Sequence, residues 1–440
     1  MFVKKTFSQL KMLFFIAWRN IWRNPIRSAL TIFSLSAGLA LVLLYSAILE
    51  GMTRQMSHFA TDISTGHMQV HREAYIEDQD VYATLPWGYL EALEKKFPSM
   101  KFSPRLYAAG LASTEDHSTG VFIKAVDPLK ENQATKLLNQ VREGSNSLEG
   151  SIKSLEGFTK SNSEMIIYPV LIGTQLAKNH NISPGDELIL VTQAVDGSIG
   201  NAIFIVNGVF KAVDPVFDRA GVLMSIKAYQ ELMYLESGFH ELVIKTPDVN
   251  DLFSVQEDIE LAMQELNKKS PLDKLGGQAV VRNWREISAA VANMLDMSKS
   301  MIWVLGFIIV CLSSFGVLNT MLMAVHERRV EFGILLAIGM KARWILFMIL
   351  MESLLLGLVA SILGSFLGIA LVFWLRDGID FSSYLPDGYD FGGMIFEPVM
   401  QVHLEYEYIW MISLLLIFVT VAASLIPSWK TVKLKPVDVL

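Results

Sequence analysis

Four runs of this chain are long and apolar enough to cross a bilayer, and they limit the fold more than any other feature: residues 29–49, 301–325, 345–375 and 409–426. A bilayer interior offers backbone groups no partner, so each run is predicted to be a helix that satisfies its own N–H and C=O groups. The runs are unevenly spaced. Residues 50–298 separate the first from the second, whereas 326–344 and 376–408 are short connections. Apolar residues make up 52% of the chain against 18% charged, which fits membrane spans joined to a large aqueous part.

Orientation follows from the flanking cations, because Lys and Arg collect on the cytoplasmic side. Residues 1–28 carry Lys4, Lys5, Lys11, Arg19, Arg23 and Arg27 and no acid, and the 326–344 connection carries Arg328, Arg329, Lys341 and Arg343. Residues 427–440 carry Lys430, Lys433 and Lys435, whereas 376–408 holds Arg376 against seven acids. Both termini and 326–344 are therefore expected in the cytoplasm, with 50–298 and 376–408 outside. That describes a multi-pass membrane protein. The late, long first run and the lack of a small-x-small pattern after it argue against a cleaved signal peptide. A net charge of −7 gives no reason to expect nucleic acid as a partner. The single cysteine, Cys311, lies in the second run, so no intrachain disulfide can form.

The stretch LKMLFFIAWRNIWRNP places Leu10, Leu13, Phe14, Ala17, Trp18, Ile21 and Trp22 at helical spacing, with Arg19, Asn20, Arg23 and Asn24 largely opposite. It reads as a cytoplasmic interfacial helix that ends before Pro25. The third run carries Gly357, Ser361, Gly364 and Gly368 on one helical face, a helix-packing stripe that allows a second backbone to come close. Ser34 and Gly38 make a weaker version in the first run. Glu352 is the one ionisable residue inside a run, and an interfacial or helix-packed carboxylate is expected there.

Residues 50–298 mix strand and helix patterns. GHMQVHREAY, TGVFIKAV, DELILVT and AIFIVNGVF read as strands, with Asp196-Gly197 as the turn between the last two. PWGYLEALEKKF, AYQELMYL and the segment ending in MQELNKK read as helices. The predicted fold class is thus membrane α-helical, four transmembrane helices plus a large extracytoplasmic α+β domain between helices 1 and 2. Residues 129–164 are polar, Ser-rich towards their end, and read as partly mobile. His67 and His71 share a strand face with Gln69, but no third ligand is apparent, so a solvated face is expected and no metal site. There is no G-x-x-x-x-G-K-[ST] loop, no G-x-S-x-G and no H-E-x-x-H. No catalytic residue and no bound cofactor are expected in this chain.

Several motifs in this order resemble the FtsX/MacB/LolC-LolE superfamily of ABC-transporter permeases (type VII-like), across essentially the whole chain. ERRVEFGILLAIGMK after the second run, VLIGTQLAKNHNISPGDELIL in the outer domain and the ending PSWKTVKLKPVDVL, with Pro427, Pro436 and Leu440, carry the likeness. VFIKAVDPLKENQATKLLNQVREG and VRNWREIS add to it. The resemblance implies a cytoplasmic coupling helix in 326–344 that docks on a separate ABC ATPase dimer, which holds the ATP and Mg. The coupling residues would be Glu327, Arg328, Arg329, Glu331, Phe332, Gly333, Leu335 and Gly339. Glu327 and Glu331 fall on one face four residues apart, and Phe332, Ile334, Leu335 and Ile338 are apolar enough to fill a pocket. It further implies pairing with a second permease copy or a paralogue, spans one and two lining the seam. There Leu39 and Leu43 would face Phe307, Cys311 and Phe315 and contact lipid or substrate.

The resemblance is closest to lipoprotein-releasing permeases, which implies extraction of a lipoprotein or lipid from the inner membrane and transfer to a periplasmic carrier. The alternatives are MacB-like efflux with an adaptor, or FtsX-like mechanical signalling to a cell-wall hydrolase. One departure matters. VTQAVDGSIGNAIF is short and lacks proline where the lipoprotein-releasing permeases carry a long hairpin that recruits the carrier.

Overall fold

The computed structural model describes residues 12, 14–114, 117–149, 152–153, 166–212, 214–235, 237–247, 252–269, 272, 276–385, 389–391, 394–396 and 398–432. Leu10, Leu13, Pro436, Leu440 and residues 154–165 of the polar stretch lie outside these. Two compact units divide the chain: residues 1–55, 295–384 and 399–440 form one, and 56–294 with 385–398 form the other.

In the first unit the four apolar runs lie in long helices: Pro25–His58, Ala289–Glu327, Ala342–Trp374 and Tyr406–Val432. Each exceeds the ~20 residues needed to span a bilayer. The last helix runs through Pro427, where the sequence reading began the tail. Residues 14–21 are also helical, the chain turns at 22–24, and Pro25 opens the first span, a position where its missing N–H costs nothing. Ala17 and Ile21 of that short helix join the core made by Leu35, Leu39, Leu43, Val310, Val317, Leu356 and Leu416.

The glycine stripe explains how the spans come so close. A Cβ at Gly364 would lie 2.8 Å from Ser36 O and 2.9 Å from Leu39 Cβ, and one at Gly368 would meet Leu43 Cβ at 3.0 Å. Gly357 faces the fourth span at Thr420 and Ile417. Ser36 Oγ donates to Ala360 O across the same contact at 3.0 Å. Gly38 sits equally close to Ser313 of the second span, and Thr31 and Thr320 hydroxyls meet at 3.0 Å.

The second unit is built on one mixed sheet. Its strands are β1 (Met68–Arg72), β2 (Lys101–Ser113), β3 (Ser118–Val126), β4 (Val141–Gly144), β5 (Ile152–Lys153), β6 (Ile166–Gly173), β7 (Glu187–Gln193), β8 (Ile199–Phe210), β9 (Gly221–Ser225), β10 (Glu241–Lys245) and β11 (Ala279–Asn283). Their order is β11-β1-β10-β2-β3-β9-β6-β8-β4, with β5 on β6 and β7 joining both β8 and the end of β2. The β3/β9 and β6/β8 pairs are parallel and the others antiparallel. Helices Trp87–Lys96, Ile226–Met233 and Leu252–Lys269 accompany the sheet, as the sequence patterns predicted.

Two short helices begin with the same device. Asp127 precedes Pro128 and accepts from the Leu129 and Lys130 N–H groups, and Asp214 precedes Pro215 and accepts from Val216 N–H. The first opens the polar stretch, which continues as helix Pro128–Ala134, a 3-10 turn and β4. The expected strand at 66–75 is shorter than predicted. β1 stops at Arg72, and Glu73–Asp78, with its Glu and Ala, turns helical.

Candidate functional site

The segment HERRVEFGILLAIGMK ends the second-span helix at Glu327 and restarts as a separate helix, Arg329–Ala337. Its far end is closed by Gly339 in the left-handed region (φ +101°). Gly339 N–H donates to Leu336 O and Met340 N–H to Leu335 O, both at 3.0 Å, so the last carbonyls are satisfied and the helix has a definite stop.

Both carboxylates are taken by arginines from the start of the chain. Arg27 grips Glu327 with two bonds of 2.9 and 2.5 Å, and Arg23 grips Glu331 with two of 3.0 and 2.6 Å. Each pair is bidentate, the stronger geometry for a guanidinium and a carboxylate. The hydrogen bonds from Arg23, together with its charge, hold Glu331 below the usual carboxylate range. Both partners are spaced four apart and run in opposite order, 27 with 327 and 23 with 331. That matched spacing was present in the sequence, in the positive flank that was read for orientation and as an interfacial helix.

Arg328 bridges: its Nε also reaches Glu331 at 3.4 Å. Its guanidinium lies over the Phe332 ring at 5.3 Å and reaches Glu352 of the third span at 3.4 Å. The carboxylate inside the third apolar run is therefore buried beside a cation. Arg329 is exposed.

Burial sorts the apolar residues of the segment in a way that periodicity alone did not. Phe332 is 1% exposed and packs with Ile345, Met348 and Ile349, with Leu335 against the same cluster and Gly333 buried. Val330 (53%), Ile334 (43%) and Ile338 (79%) face outward on one stripe. Phe332 and Leu335 are thus committed inside the chain, and the outward apolar surface belongs to Val330, Ile334 and Ile338.

The expected seam is rearranged as well. Leu39 and Leu43 do not face the second-span stripe. They are fully buried against Gly364 and Gly368 of the third span, because the glycines leave room for their side chains. Phe307 and Phe315 are exposed and Cys311 is half-buried. Among the large apolar residues of the first-span helix, Ile26, Leu30, Phe33 and Leu41 face outward.

His67 and His71 are not on a solvated face. His67 Nδ1 bonds the Thr246 hydroxyl at 2.8 Å and His71 Nε2 meets Gln69 Oε1 at 2.9 Å, all buried. Among the described residues no group of three His, Cys, Asp or Glu side chains is placed to hold a metal ion.

The sequence reading missed a charged cluster at the centre of the strand domain. Arg105 of β2, almost wholly buried, binds Glu131 through Nε (3.1 Å) and Nη2 (2.5 Å), and Glu241 of β10 through Nη1 (2.9 Å). Ser103 and Thr135 complete the Glu131 carboxylate, and Arg105 holds it below its usual pKa range against the effect of burial. His240 accepts from Tyr107 N–H at Nδ1 and donates from Nε2 to Val81 O, which selects the neutral ring. Burial pushes its pKa down to about 4.

Comparison with known proteins agrees with this architecture. Residues 28–262 match the MacB-like periplasmic core domain family, and residues 303–436 match the FtsX-like permease C-terminal family. The lipoprotein-releasing system transmembrane protein LolC of Xylella fastidiosa is 20% identical over 397 residues, covering 88% of each chain. The pyoverdine export ATP-binding/permease protein PvdT of Pseudomonas syringae pv. tomato is 23% identical over 383 residues, 81% of this chain and 51% of that one. An uncharacterized ABC transporter permease of Methanocaldococcus jannaschii is 24% identical over 237 residues, 54% of each. With the MacB-like match spanning more than half of the chain and the permease match covering spans two to four, this protein belongs to the FtsX/MacB/LolC superfamily of ABC-transporter permeases.

Proposed function

We propose that this chain is the transmembrane subunit of a transporter driven by a separate ATPase dimer, and that helix Arg329–Ala337 is where the drive enters. The observation that carries the reading is the outward row of Val330, Ile334 and Ile338 along this helix and its C-terminal cap, tied through Glu331 to Arg23, with Glu327 at the end of the second-span helix tied to Arg27 of the first span. An apolar stripe with a charged rim suits a cleft in a partner, and the Glu331–Arg23 pair would pass displacement of that helix to the turn that leads into the first span, with Glu327–Arg27 joining the first and second spans beside it. Both termini and this helix then lie in the cytoplasm. Residues 50–298 lie outside, and the chain works as a pair with a copy or a paralogue. Nucleotide and Mg stay on the partner.

The cargo reading is a lipoprotein or lipid taken from the inner membrane. Likeness to a LolC along 88% of both chains supports it. The short hairpin around Asp196-Gly197 favours a paralogue as the one that recruits a periplasmic carrier, since Gly197 (φ +84°) closes a tight turn with little surface. Export through an outer adaptor is the second reading, favoured by the MacB-like core and the PvdT likeness.

The test is purification of the tagged chain in mild detergent with mass spectrometry of what stays bound, repeated for Ile334→Glu. The expected result is an ATPase that is retained by the parent chain and lost from the variant. A second permease or a triacylated lipoprotein in the same sample supports extraction; an adaptor or hydrolase redirects the cargo reading. Absence of any ATPase sinks the coupling assignment.

A further inference from the structure

The strand domain holds a cavity of about 670 Å³ that the coupling reading leaves unused. Its walls come from β2, β3 and β10 and from the segment that begins at Ala212. That volume suits one small molecule, since ligand sites run from ~300 to 1,000 Å³. Its apolar lining includes Phe122, Val216 and Phe217, with Phe122 and Val216 about half exposed. Its polar lining includes Tyr75, Tyr107, Glu241 and Lys124.

The charges around the cavity are unequally satisfied. Glu131, behind it, accepts from Arg105 twice, from Ser103 and from Thr135. Glu241 accepts from Arg105, and Asp214 is turned to Val216 N–H at the head of its own helix. Lys124 is different. Among the described residues its ammonium makes no hydrogen bond or ion pair and rests over the rings of Phe217 (4.6 Å) and Tyr107 (5.3 Å). Ring faces replace only part of the water that a cation loses. Burial, with Arg105 nearby, brings its pKa down to about 8. Glu241, Glu131 and Asp214 act on this half-buried cation from beyond hydrogen-bond reach, so with no carboxylate in direct contact and an open cavity before it, the ammonium gains from an anion supplied by a ligand.

We propose that this cavity binds a small amphiphile with one anionic head, a carboxylate in the simplest case, paired with Lys124 Nζ while its apolar body lies against Phe122, Val216 and Phe217. A cationic ligand would have to compete for carboxylates already engaged, Glu241 with Arg105 and Asp214 with the head of its own helix. A neutral ligand leaves the ammonium unpaired. Two sources carry this chemistry: a water-soluble carboxylate and a fatty acid drawn from the bilayer.

The test uses the full chain in lipid nanodiscs, without ATPase or nucleotide, so its outcome is independent of the coupling reading. The probe is 6-fluoro-2-naphthoate, followed by 19F line broadening against empty nanodiscs. Saturable broadening is expected, weakened at least tenfold by Lys124→Met and by changing the probe to the neutral amide, and largely kept in Lys124→Arg. Val216→Glu, at an exposed wall position, is expected to abolish binding without depending on the cluster behind. Lys124→Met is also expected to raise the thermal midpoint at pH 7, because it removes a poorly solvated charge. Displacement by dodecanoate identifies the bilayer source; displacement by benzoate alone identifies the soluble one. Broadening no greater than in empty nanodiscs, or equal binding in Lys124→Met or Val216→Glu, overturns the proposal.

Discussion

The molecule uses arginine–carboxylate pairing in two regions with opposite surroundings. In the strand domain, Arg105 is 1% exposed and its two carboxylates have every strong partner within the fold. At the start of the first span, Arg23 and Glu331 are 57% and 43% exposed, and Arg27 and Glu327 are 23% and 40% exposed. Geometry is alike and bidentate contacts occur in both, but water competes only at the second. A buried pair is costly to break because the remaining charge is stranded, whereas an exposed pair exchanges protein for water at small cost. One region is built to stay; the other is built to let go and close again.

The sharpest way to break this contrast is Arg105→Met, which strands Glu131 and Glu241 in the interior. It is expected to cost the strand domain ~3–5 kcal/mol, measured by chemical unfolding of the full chain. A loss no larger than that of an exposed pair would erase the distinction. Acid probes the same cluster next. Unfolded chain takes up a proton on His240 near pH 6.5 but the folded ring does so only near about 4, so between those values the unfolded state binds more protons. Stability is therefore expected to fall as pH drops through that window, by up to ~3 kcal/mol, and His240→Gln should flatten the slope in pH-dependent melting. Gly364→Leu comes third. Its side chain has no space beside Ser36 and Leu39, and ~1–3 kcal/mol of overpacking should appear as a lower detergent-melting midpoint with the strand domain unaffected. The smallest effect on stability is expected at the exposed pairs. Glu327→Arg should speed hydrogen exchange in Arg329–Ala337 without lowering the melting point, and Arg27→Glu with Glu327→Arg should restore slow exchange. A melting-point loss as large as that of Arg105→Met would place both regions in one class.

Much of the membrane part was legible because a run of ~20 apolar residues has few other uses. Helical periodicity also identified the small-residue stripe, and it showed which residues share a face. It does not say which neighbour takes that face, and Leu39 and Leu43 went to the third span for that reason. The strand domain was legible where strands alternate or turn at Asp196-Gly197. It was opaque in β2, where Pro104 and Arg105 interrupt the pattern, and in β9 and β10, which are short and almost wholly buried. Arg105 is the clearest case. An isolated arginine reads as solvated, and its partners arrive 26 and 136 residues later, brought to it only by the sheet. The outward row of the short helix needed the fold too, because Phe332 and Ile334 look equally available until one of them is covered.

The Arg328–Glu352 pair bears on how the chain is made. Glu352 lies in the third span, ten residues after that helix begins at Ala342, and a carboxylate there resists leaving water. Arg328 precedes it by 24 residues. Synthesis runs from the N-terminus, so the guanidinium has left the ribosome before the carboxylate needs it. A counter-ion is thus already made when the acid's helix partitions into lipid, which lowers the cost of carrying that carboxylate out of water.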